Sequence, residues 1–413
     1  MIIKQHVLDF EKLGFGMFVH FGLYSLVGRG EWAKKLCEIP DDEYEALKER
    51  FNPAPDWAEQ LVKTAKAAGC KYITLTTRHH DGFSLYDNSP LNDYDAPHAL
   101  AGRDLIREFV DACRAEGIIP FFYHTLLDWR EPTYKNDFKA YLKYLRASIE
   151  ILCTRYGKIG GLWFDGMWDK WDEDWEEDEL YGLIRRYQPD AMIINNTGMA
   201  ARGTLGHIEL DSVTFERGKP EPLNQDDAPK YVASEMCQIF GDHWGYTELD
   251  YNFKSLASII EDYLVCRRCG SNFLLNVGPM GDGMLRPLDT AMLTTLGSWI
   301  DRFSEAFDGT TRCDVELDCT REEDFVLRGD GCYYLFRHGL KMIGASDVVI
   351  NDEDYVDFAV KLKLPERVRS MHFLDNGREV EFTQDDDGTV SAVTPPQPYG
   401  QSVVVRIVKI ETE

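Results

Sequence analysis

The chain has 413 residues, of which 44% are hydrophobic and 12% aromatic, and its formal net charge is -26 at pH 7. This length suits one large domain plus a smaller one, and the composition is typical of a globular protein with a large core. The negative charge argues against nucleic acid or an anionic membrane as a partner and favours a neutral or cationic ligand. No stretch approaches the roughly 18 apolar residues of a membrane span.

The start of the chain and its cysteines indicate a reducing compartment. Residues 1–6 lack the charged and apolar regions of a secretory signal. Ten cysteines are scattered, mostly inside apolar segments, as buried thiols are. Cys266 and Cys269 form a C-x-x-C motif within a helical pattern, without a second cysteine pair at metal-binding spacing. Core packing of these cysteines is therefore favoured over zinc binding or a redox role. We therefore expect a cytoplasmic protein without a cofactor.

The first three-quarters of the chain alternates apolar strands with amphipathic helices. The predicted strands are 15–21, 71–77, 118–125, 161–165, 191–196, 208–214, 231–237 and 272–277. The predicted helices are 56–68, 102–116, 134–156, 176–187, 253–268 and 288–303. Eight strands alternating with helices indicate an α/β fold, a (β/α)8-like TIM barrel. The stretch between strands six and seven is poorly helical, because it holds Pro220, Pro222 and Pro229.

From Cys313 onward the pattern changes to short strands separated by turns. The predicted strands are 324–328, 332–337, 346–350, 356–363 and 369–374. Turn signals such as Asp375-Asn376-Gly377 lie between them. We predict a catalytic barrel over residues 1–312 and a C-terminal all-β sandwich domain over residues 313–413.

Polar side chains follow each predicted barrel strand, where the reactive groups of such barrels collect. The strand ends supply His20, Arg78-His79-His80-Asp81, His124, Asp165, Asn195-Asn196, Glu216, Glu235 and Asn276. Asp165 ends the apolar stretch Gly161–Gly166, where burying a carboxylate is costly unless it is paired or hydrogen-bonded. A functional role for Asp165 is therefore favoured over simple capping of the next turn.

The histidines and tryptophans at these strand ends suit a hydroxyl-rich ligand. His79 and His80 could bind a metal, but neighbouring strand residues point to opposite faces, so neutral hydrogen-bonding imidazoles are favoured. His20 could instead be a core histidine. Trp32, Trp163 and Trp244 could be core residues, or aromatic faces that bind the C–H face of a sugar.

A tryptophan-rich acidic stretch follows strand four. Trp168, Trp171 and Trp175 recur at helical spacing, and acidic residues continue through Glu179. The stretch is either an aromatic wall over the rim of the barrel or a solvated acidic face packed on the barrel. The sequence leaves these alternatives open.

At these residues the sequence resembles the α-L-fucosidases of glycoside hydrolase family 29, which have a (β/α)8-like barrel followed by a β-sandwich. The matching segments are 15–25, Glu31-Trp32, 77–83, 127–129, 162–166, 244–246 and 272–279. The resemblance implies hydrolysis of α-L-fucosides with retention of configuration and without a metal. It implies a fucosylated oligosaccharide or glycoconjugate as substrate, and no nucleic-acid or membrane partner.

The resemblance also assigns roles to residues. It implies that Asp165 is the nucleophile. The fucose contacts that it implies are His20, Glu31, Trp32, His79, His80, Tyr123, Trp163 and Trp244. Retention requires a second carboxyl group roughly 5–5.5 Å away, whose raised pKa keeps it protonated.

The identity of that second carboxyl group stays open between two glutamates. Glu216 matches the loop after strand six and is preferred, since a mobile loop suits an acid that must reach the glycosidic oxygen. Glu235 matches another family segment. If Glu216 is the acid, Glu235 would form hydrogen bonds within the site or support it. Asn195-Asn196-Thr197 departs from a family pattern that supplies an arginine near the sugar.

Three other functions compete with a fucosidase. They are a barrel glycosidase for another sugar, a non-catalytic carbohydrate-binding barrel, and a metal-dependent hydrolase using His79 and His80. Barrel glycosidases often associate, so a homo-oligomer is an open alternative. The preferred linkage and aglycone depend on loops 166–178 and 217–230, whose shape the sequence does not give.

Overall fold

The computed structural model of the chain describes residues 1–226, 228–319, 321–340, 342 and 358–413. Contacts between residues divide the chain into two compact units. One unit comprises residues 1–266 and 271–297, and the other comprises residues 267–270 and 298–413. The domain boundary after residue 312 stays a prediction.

The first unit is built on a closed barrel of eight parallel strands, which pair in chain order and close when the last strand pairs with the first. The strands are β1 (Phe15–Val19), β2 (Tyr72–Arg78), β3 (Ile119–Thr125), β4 (Gly161–Asp165), β5 (Met192–Asn195), β6 (Ser212–Glu216), β7 (Ala233–Ile239) and β8 (Asn272–Val277). Both faces of such strands are covered, which explains their nearly continuous apolar runs. The predicted (β/α)8-like barrel is confirmed.

Helices surround and connect these strands. They are α1 (Gln5–Glu11), α2 (Tyr24–Val27), α3 (Ala33–Leu36), α4 (Asp41–Glu45), α5 (Trp57–Ala67), α6 (Leu105–Glu116), α7 (Thr133–Asn136), α8 (Phe138–Arg155), α9 (Glu177–Tyr187), α10 (Leu256–Cys269) and α11 (Pro287–Arg302). The six predicted helices are present. The one predicted over 134–156 is interrupted at Asp137, because the Asp137 side chain caps α8 by accepting from the backbone N–H of Ala140.

Helix α1, which the sequence did not predict, contributes to the core inside the barrel. Val7 and Phe10 pack with interior residues of the strands. The ring centroid of Phe10 lies 5.5 Å from that of Tyr72 and 5.7 Å from that of Phe121. A seven-residue helix is too short to give a periodic pattern in the sequence, so only its packing identifies it.

Strand β6 begins and ends later than the predicted strand 208–214. The carboxylate of Asp211 accepts from the backbone N–H of Ile193 and from the ammonium of Lys230, which fixes the residues before β6 in a turn. Glu216 is therefore the last residue of a strand, which corrects the expectation that it lies in a mobile loop. Between β6 and β7 the described residues, 217–226 and 228–232, contain no helix, as the prolines predict.

The second unit holds two antiparallel sheets. Their strands are β9 (Thr311–Cys313), β10 (Leu317–Asp318), β11 (Phe325–Gly329), β12 (Cys332–Arg337), β13 (Ala359–Lys363), β14 (Val368–Phe373), β15 (Phe382–Gln384), β16 (Thr389–Val393) and β17 (Arg406–Thr412). The sheet orders are β10-β13-β16-β15 and β14-β17-β12-β11-β9. Leu335 and Ile410 of one sheet share a core with Leu362 and Val390 of the other, as in a β-sandwich. The predicted strand 346–350 lies outside the described residues.

In the part of the chain that the structure describes, no helix is both long enough and apolar enough to cross a membrane.

Candidate active site

A cavity of about 530 Å³ opens at the carboxyl ends of the barrel strands. Nine of the residues that the sequence proposes for the site line it. They are His20, Glu31, Trp32, His79, Tyr123, Trp163, Asp165, Glu216 and Trp244. The barrel explains this convergence, because parallel strands bring their carboxyl ends to one rim. His80 lies directly behind this lining, and Glu235 lies deeper.

Asp165 ends β4 and is held by neutral donors. Its Oδ2 accepts from the hydroxyl of Tyr123 at 3.1 Å, and its Oδ1 accepts from Trp168 Nε1 at 3.2 Å. The chain turns sharply at Gly166, whose φ of +98° favours glycine, and this turn brings Trp168 back to the carboxylate. A Cβ at Gly166 would lie 2.9 Å from the Leu127 side chain, so a residue with a side chain would be crowded at this turn.

One amide group connects Asp165 with Glu216. Asn196 Nδ2 lies 3.2 Å from Asp165 Oδ1 and 2.8 Å from Glu216 Oε2. Two oxygens at these distances from one nitrogen are at most about 6 Å apart, and about 5 Å apart if each amide hydrogen points straight at one oxygen. This separation fits the roughly 5–5.5 Å of retaining glycosidases rather than the roughly 6.5–9.5 Å of inverting ones.

The orientation of the Asn196 amide is fixed by its own oxygen. Asn196 Oδ1 accepts from the hydroxyl of Thr214 at 3.0 Å and from the backbone N–H of Gly198 at 3.1 Å. Both groups are donors here, so the amide oxygen must face them and the NH2 group must face the two carboxylates.

Glu216 has the electrostatics of a general acid. Burial and the nearby charge of Asp165 raise the pKa of Glu216, and the hydrogen bond from Asn196 and the charges of Arg202 and Arg217 oppose that shift. A carboxyl group with a raised pKa beside an anion keeps its proton to higher pH than an ordinary carboxyl group, which favours its use as an acid that protonates a leaving group.

The site histidines are neutral. Burial lowers the pKa of His20 to about 3, and it lowers the pKa of His79 well below the ordinary value. Asn276 Nδ2 donates to the carbonyl of Trp244, so Asn276 Oδ1 accepts from His20 Nδ1 at 2.6 Å. The other ring nitrogen of His20 is therefore an acceptor, able to bind a ligand hydroxyl.

His80 is fixed in the same tautomer by a different partner. The hydroxyl of Thr125 donates to the carbonyl of Leu127 and so accepts from His80 Nδ1 at 2.7 Å. Burial lowers the pKa of His80 to about 4, which leaves Nε2 unprotonated and 3.5 Å from Asp165 Oδ2. Two acceptors face each other there, and a ligand hydroxyl can donate to either of them.

Glu235 lies below the cavity rather than on its wall. In the pairing of β6 with β7, Glu216 is level with Cys237 and Thr214 is level with Glu235. Glu235 is therefore two residues deeper, about 6.6 Å along the strand. Its carboxyl group accepts from the Tyr72 hydroxyl and from Trp163 Nε1 at 2.9 Å, and burial raises its pKa to about 7. Glu235 thus orients Trp163, which itself lines the cavity.

Glu31, Trp32 and Trp244 lie on the wall of the cavity. Glu31 accepts from the backbone N–H of Gly245 at 2.8 Å, and burial raises its pKa. The Trp32 ring packs against those of His80 and Trp168, and the Trp244 ring packs against His20. These contacts order the aromatic faces that the sequence proposes for sugar binding.

The tryptophan-rich stretch does not form the continuous helical stripe that its spacing suggests. Residues 167–170 form a 3-10 turn, and Trp168 and Trp171 line the cavity. Trp175 is instead buried, and its Nε1 donates to the carbonyl of Lys170. The first two tryptophans thus belong to the cavity wall, whereas acidic residues 172–174 are exposed.

Several cavity residues were not assigned to the site from the sequence, although Asn196 was named as a strand end and an aromatic wall was one of the two alternatives for Trp168 and Trp171. These cavity residues are Phe18, Trp168, Trp171, Asn196, Thr197, Gly198, Met199, Ala200, Arg217, Cys237 and Asp242. The position of Asn196 after strand five indicated that it lies at the rim. Its contact with both carboxyl groups depends on side-chain orientation, which the sequence does not give. Among the described residues, no group of three or more His, Cys, Asp or Glu side chains is arranged to hold a metal ion.

Comparison with known proteins places the chain in a family. A family model described as Alpha-L-fucosidase matches residues 4–305. The tissue alpha-L-fucosidase of Bos taurus is 29% identical over 329 residues, which cover 72% of this chain and 68% of the bovine protein.

Solved structures agree with this match. Alpha-L-fucosidase isoenzyme 1 from Paenibacillus thiaminolyticus has a TM-score of 0.80 and 29% identity, with 99% of both chains covered. A GH29 alpha-L-fucosidase from Bacteroides thetaiotaomicron, trapped as a covalent intermediate with 2-fluoro-fucosyl fluoride, has a TM-score of 0.82, with 99% of this chain and 96% of that chain covered. At 23% identity this second structure shows the shared fold. The chain belongs to the alpha-L-fucosidase family of glycoside hydrolases.

Proposed function

We propose that this chain hydrolyses terminal α-L-fucosides with retention of configuration, with Asp165 as the nucleophile and Glu216 as the general acid and base. The observation that carries the proposal is the Asn196 amide, which bonds one oxygen of each carboxyl group and limits their separation to about 6 Å. Family membership supports fucose as the sugar, and the trapped intermediate of the Bacteroides protein supports a covalent route.

The first step forms a glycosyl-enzyme. A carboxylate oxygen of Asp165 attacks the anomeric carbon while the bond from that carbon to the leaving oxygen breaks, and the proton of Glu216 passes to the leaving oxygen. In the second step, water attacks the anomeric carbon, Glu216 takes a proton from this water, and the bond to Asp165 breaks. Asp165 and a protonated Glu216 are thereby restored.

The neutral acceptors around the cavity support a ligand rich in hydroxyl groups. His20 and Glu31 line the cavity, and the ring nitrogen of His20 that does not bond Asn276 can accept a hydrogen bond from a ligand. His80 lies behind this lining, with Nε2 3.5 Å from Asp165 Oδ2. The aromatic side chains Phe18, Trp163 and Trp244 provide apolar surface for the methyl group and C–H face of fucose.

Replacement of the nucleophile tests the proposal directly. Asp165→Gly should abolish hydrolysis of an aryl α-L-fucoside, and added azide should restore turnover by forming a fucosyl azide. Activity like that of the wild type in Asp165→Gly would contradict the role of Asp165. Hydrolysis of an aryl α-galactoside in place of the fucoside would contradict the choice of sugar.

The two glutamates are distinguished by their response to leaving groups. Glu216→Ala should lose far more rate with a poor leaving group than with a good one, because only the poor one needs a proton. Glu235→Ala is the matched control, and its loss should be similar for both leaving groups because Glu235 acts through Trp163. A larger leaving-group effect in Glu235→Ala would reverse the assignment.

The cytoplasmic location also remains a proposal. Seven of the ten cysteines are buried, as thiols in a reducing compartment often are. Cell fractionation that recovers the protein with cytoplasmic markers is the expected result, and recovery from a secreted fraction would contradict it.

A further inference from the structure

The loops after β1 and β7 pair beside the cavity. Residues 28–30 and 246–248 form a short antiparallel ribbon, which two backbone hydrogen bonds of 2.9 Å join. Glu31 and Trp32 directly follow one side of this ribbon, Trp244 lies just before the other side, and all three line the cavity. One wall of the cavity is thus a single unit rather than two independent loops.

The segment 242–245 connects β7 to this ribbon and carries two contacts of the cavity wall. The ring centroid of Trp244 lies 5.3 Å from that of His20. The backbone N–H of the next residue, Gly245, donates to the carboxyl group of Glu31 at 2.8 Å. The position of this segment therefore places an aromatic face and orients an acidic side chain of the cavity.

One buried carboxylate, that of Asp250, holds the start of the segment. Its Oδ2 accepts from the backbone N–H of Asp242 at 2.7 Å. The same oxygen lies 3.2 Å from His243 Nδ1, which donates because an ionised carboxylate only accepts. Its Oδ1 accepts from the backbone N–H of Asn252 at 3.2 Å. Asp250 thus joins the two ends of the loop that carries Trp244.

The surroundings of Asp250 favour its ionised form and a fixed position. Burial alone would raise the pKa of Asp250, but the hydrogen bonds from Asp242, His243 and Asn252 hold this pKa below its ordinary value. A Cβ built on Gly241 would overlap Asp250 Oδ2, so the chain approaches the carboxylate as closely as a glycine allows. A small movement of this carboxylate would therefore displace the segment.

We propose that Asp250 is a positioning residue for the sugar site, which holds segment 242–245 so that the Trp244 ring and the Gly245 N–H keep their places in the cavity wall. This inference rests on the proposed fucosidase activity. Asp250 lies outside the lining of the cavity, so it acts through Trp244 and Gly245 rather than on the substrate. Displacement of a binding group by about 1 Å can cost a large part of the rate.

Replacement of Asp250 should weaken both binding and turnover. Asp250→Ala should lower kcat/KM for an aryl α-L-fucoside by about 30-fold and weaken L-fucose binding by about tenfold. The loss is partial, because Asn276 Nδ2 still donates to the carbonyl of Trp244 at 2.7 Å. Asp250→Asn keeps one acceptor oxygen and should lose only about fivefold in kcat/KM. Steady-state kinetics and isothermal titration with L-fucose measure these effects.

A double-mutant cycle separates positioning from a general effect on structure. When Trp244→Ala is already present, Asp250→Ala should lower kcat/KM by only about threefold, because the indole that it positions is gone. A loss that stays near 30-fold in the Trp244→Ala background would overturn the inference. If Asp250→Ala does not fold, Asp250→Asn replaces it, and its fivefold loss should then disappear in the Trp244→Ala background.

Asp95 is the matched control, because its carboxylate is also buried and has the same kinds of donors. It accepts from the backbone N–H of Asn88 at 2.9 Å, from the backbone N–H of His98 at 3.0 Å and from His98 Nδ1 at 2.7 Å. Asp95 lies outside the cavity lining, so the effect of Asp95→Ala on kcat/KM should be the same with and without the Trp244 indole.

The cycles also separate this inference from the proposed function. Equal coupling of Asp95 and Asp250 to Trp244 would show a general effect of destabilisation and would overturn the positioning role, while the fucosidase activity would stand. A wild type that neither binds L-fucose nor hydrolyses the aryl α-L-fucoside would instead overturn the proposed function.

Discussion

The two ends of the barrel strands hold carboxylates in opposite ways. Before β6, at the base, Asp211 is fully buried and lies 2.8 Å from Lys230 Nζ, and it also pairs with the guanidinium of Arg185. Burial alone would raise the pKa of Asp211, but the side-chain hydrogen bond from His6 and the charges of Arg185 and Lys230 hold this pKa below its ordinary value. The charge at the base is thus neutralised.

After β4 and β6, at the rim, the described hydrogen-bond donors to the carboxyl groups are neutral. Asp165 accepts from Tyr123, Trp168 and Asn196. Neutral donors orient a carboxylate without cancelling its charge, which suits the proposed role of Asp165 as nucleophile, and the charge of Asp165 raises the pKa of Glu216. The two sites therefore differ in burial and in partner charge, and the charged partners of Asp211 lower its pKa although it is the more buried carboxylate.

The largest expected effect is on activity at the rim. Asp165→Asn should lower kcat for an aryl α-L-fucoside by about 10³-fold or more, because an amide cannot form the glycosyl-enzyme. Its melting temperature should stay within about 3 °C of the wild type, since no buried cation loses its partner. Steady-state kinetics and calorimetry measure the two effects. A large loss of stability with retained activity would contradict the comparison.

The same change at the base should act on stability instead. Asp211→Asn leaves the buried ammonium of Lys230 without its counter-charge, which we expect to cost about 3–5 kcal/mol of unfolding free energy. The folded variant should keep kcat/KM within about threefold. Asp9→Asn, which changes an exposed carboxylate paired with Lys12, is the matched control and should be neutral.

The effect of Asp211 on stability depends on pH in a defined direction. Its folded pKa lies below the unfolded value, so its contribution is present above about pH 4 and is lost as pH falls toward the folded pKa. The difference in unfolding free energy between wild type and Asp211→Asn should therefore shrink below about pH 4. Denaturant titrations at several pH values measure it, and a difference that grows in acid would contradict the ion cluster.

Asn196 should have an intermediate effect that sharpens the description of the rim. Asn196→Ala should lower kcat/KM by about 10- to 100-fold, because both carboxyl groups lose a positioning donor. The hydrogen bond from Asn196 lowers the pKa of Glu216, so its removal should move the basic limb of the kcat/KM profile to higher pH. A limb that stays in place would show that Glu216 is not the acid.

Asn195 supplies the control for this variant. Its Nδ2 donates to the Tyr181 hydroxyl at 3.2 Å, whereas the Asn196 amide donates to the carboxyl groups. Asn195→Ala should therefore leave the position of the basic limb unchanged, even if it lowers stability.

Glu235 should affect the pH dependence of stability. Its folded pKa of about 7 exceeds the ordinary value of 4.5, so the folded state keeps a proton that the unfolded state has lost between these values. Unfolding free energy should therefore fall as pH rises from about 4.5 to about 7, by up to about 3 kcal/mol. Glu235→Gln should flatten this dependence, and an unchanged dependence would contradict the buried titration.

Much of the fold and site could be predicted because it depends on short-range patterns. Apolar strand segments located all eight barrel strands, and the residues after them included Asp165, His20 and Glu216. Parallel strands in a closed barrel must bring these ends together, so sequence position alone implied proximity. The predictions for β6 and for Trp168, Trp171 and Trp175 were less accurate, because Asp211 fixes one turn and Gly166 starts another.

The amino-acid sequence by itself determined the barrel and the sandwich and pointed to Asp165 as the proposed nucleophile, since hydrophobic periodicity, turn residues and strand ends are local properties. Only the tertiary structure showed the different depths of Glu216 and Glu235, which support the proposed choice of Glu216, because the register of β6 with β7 sets their depth. It also showed that Asn196 joins the carboxyl groups and that the loops after β1 and β7 pair beside the cavity. These relations depend on side-chain directions from several strands, which no single segment of the chain contains.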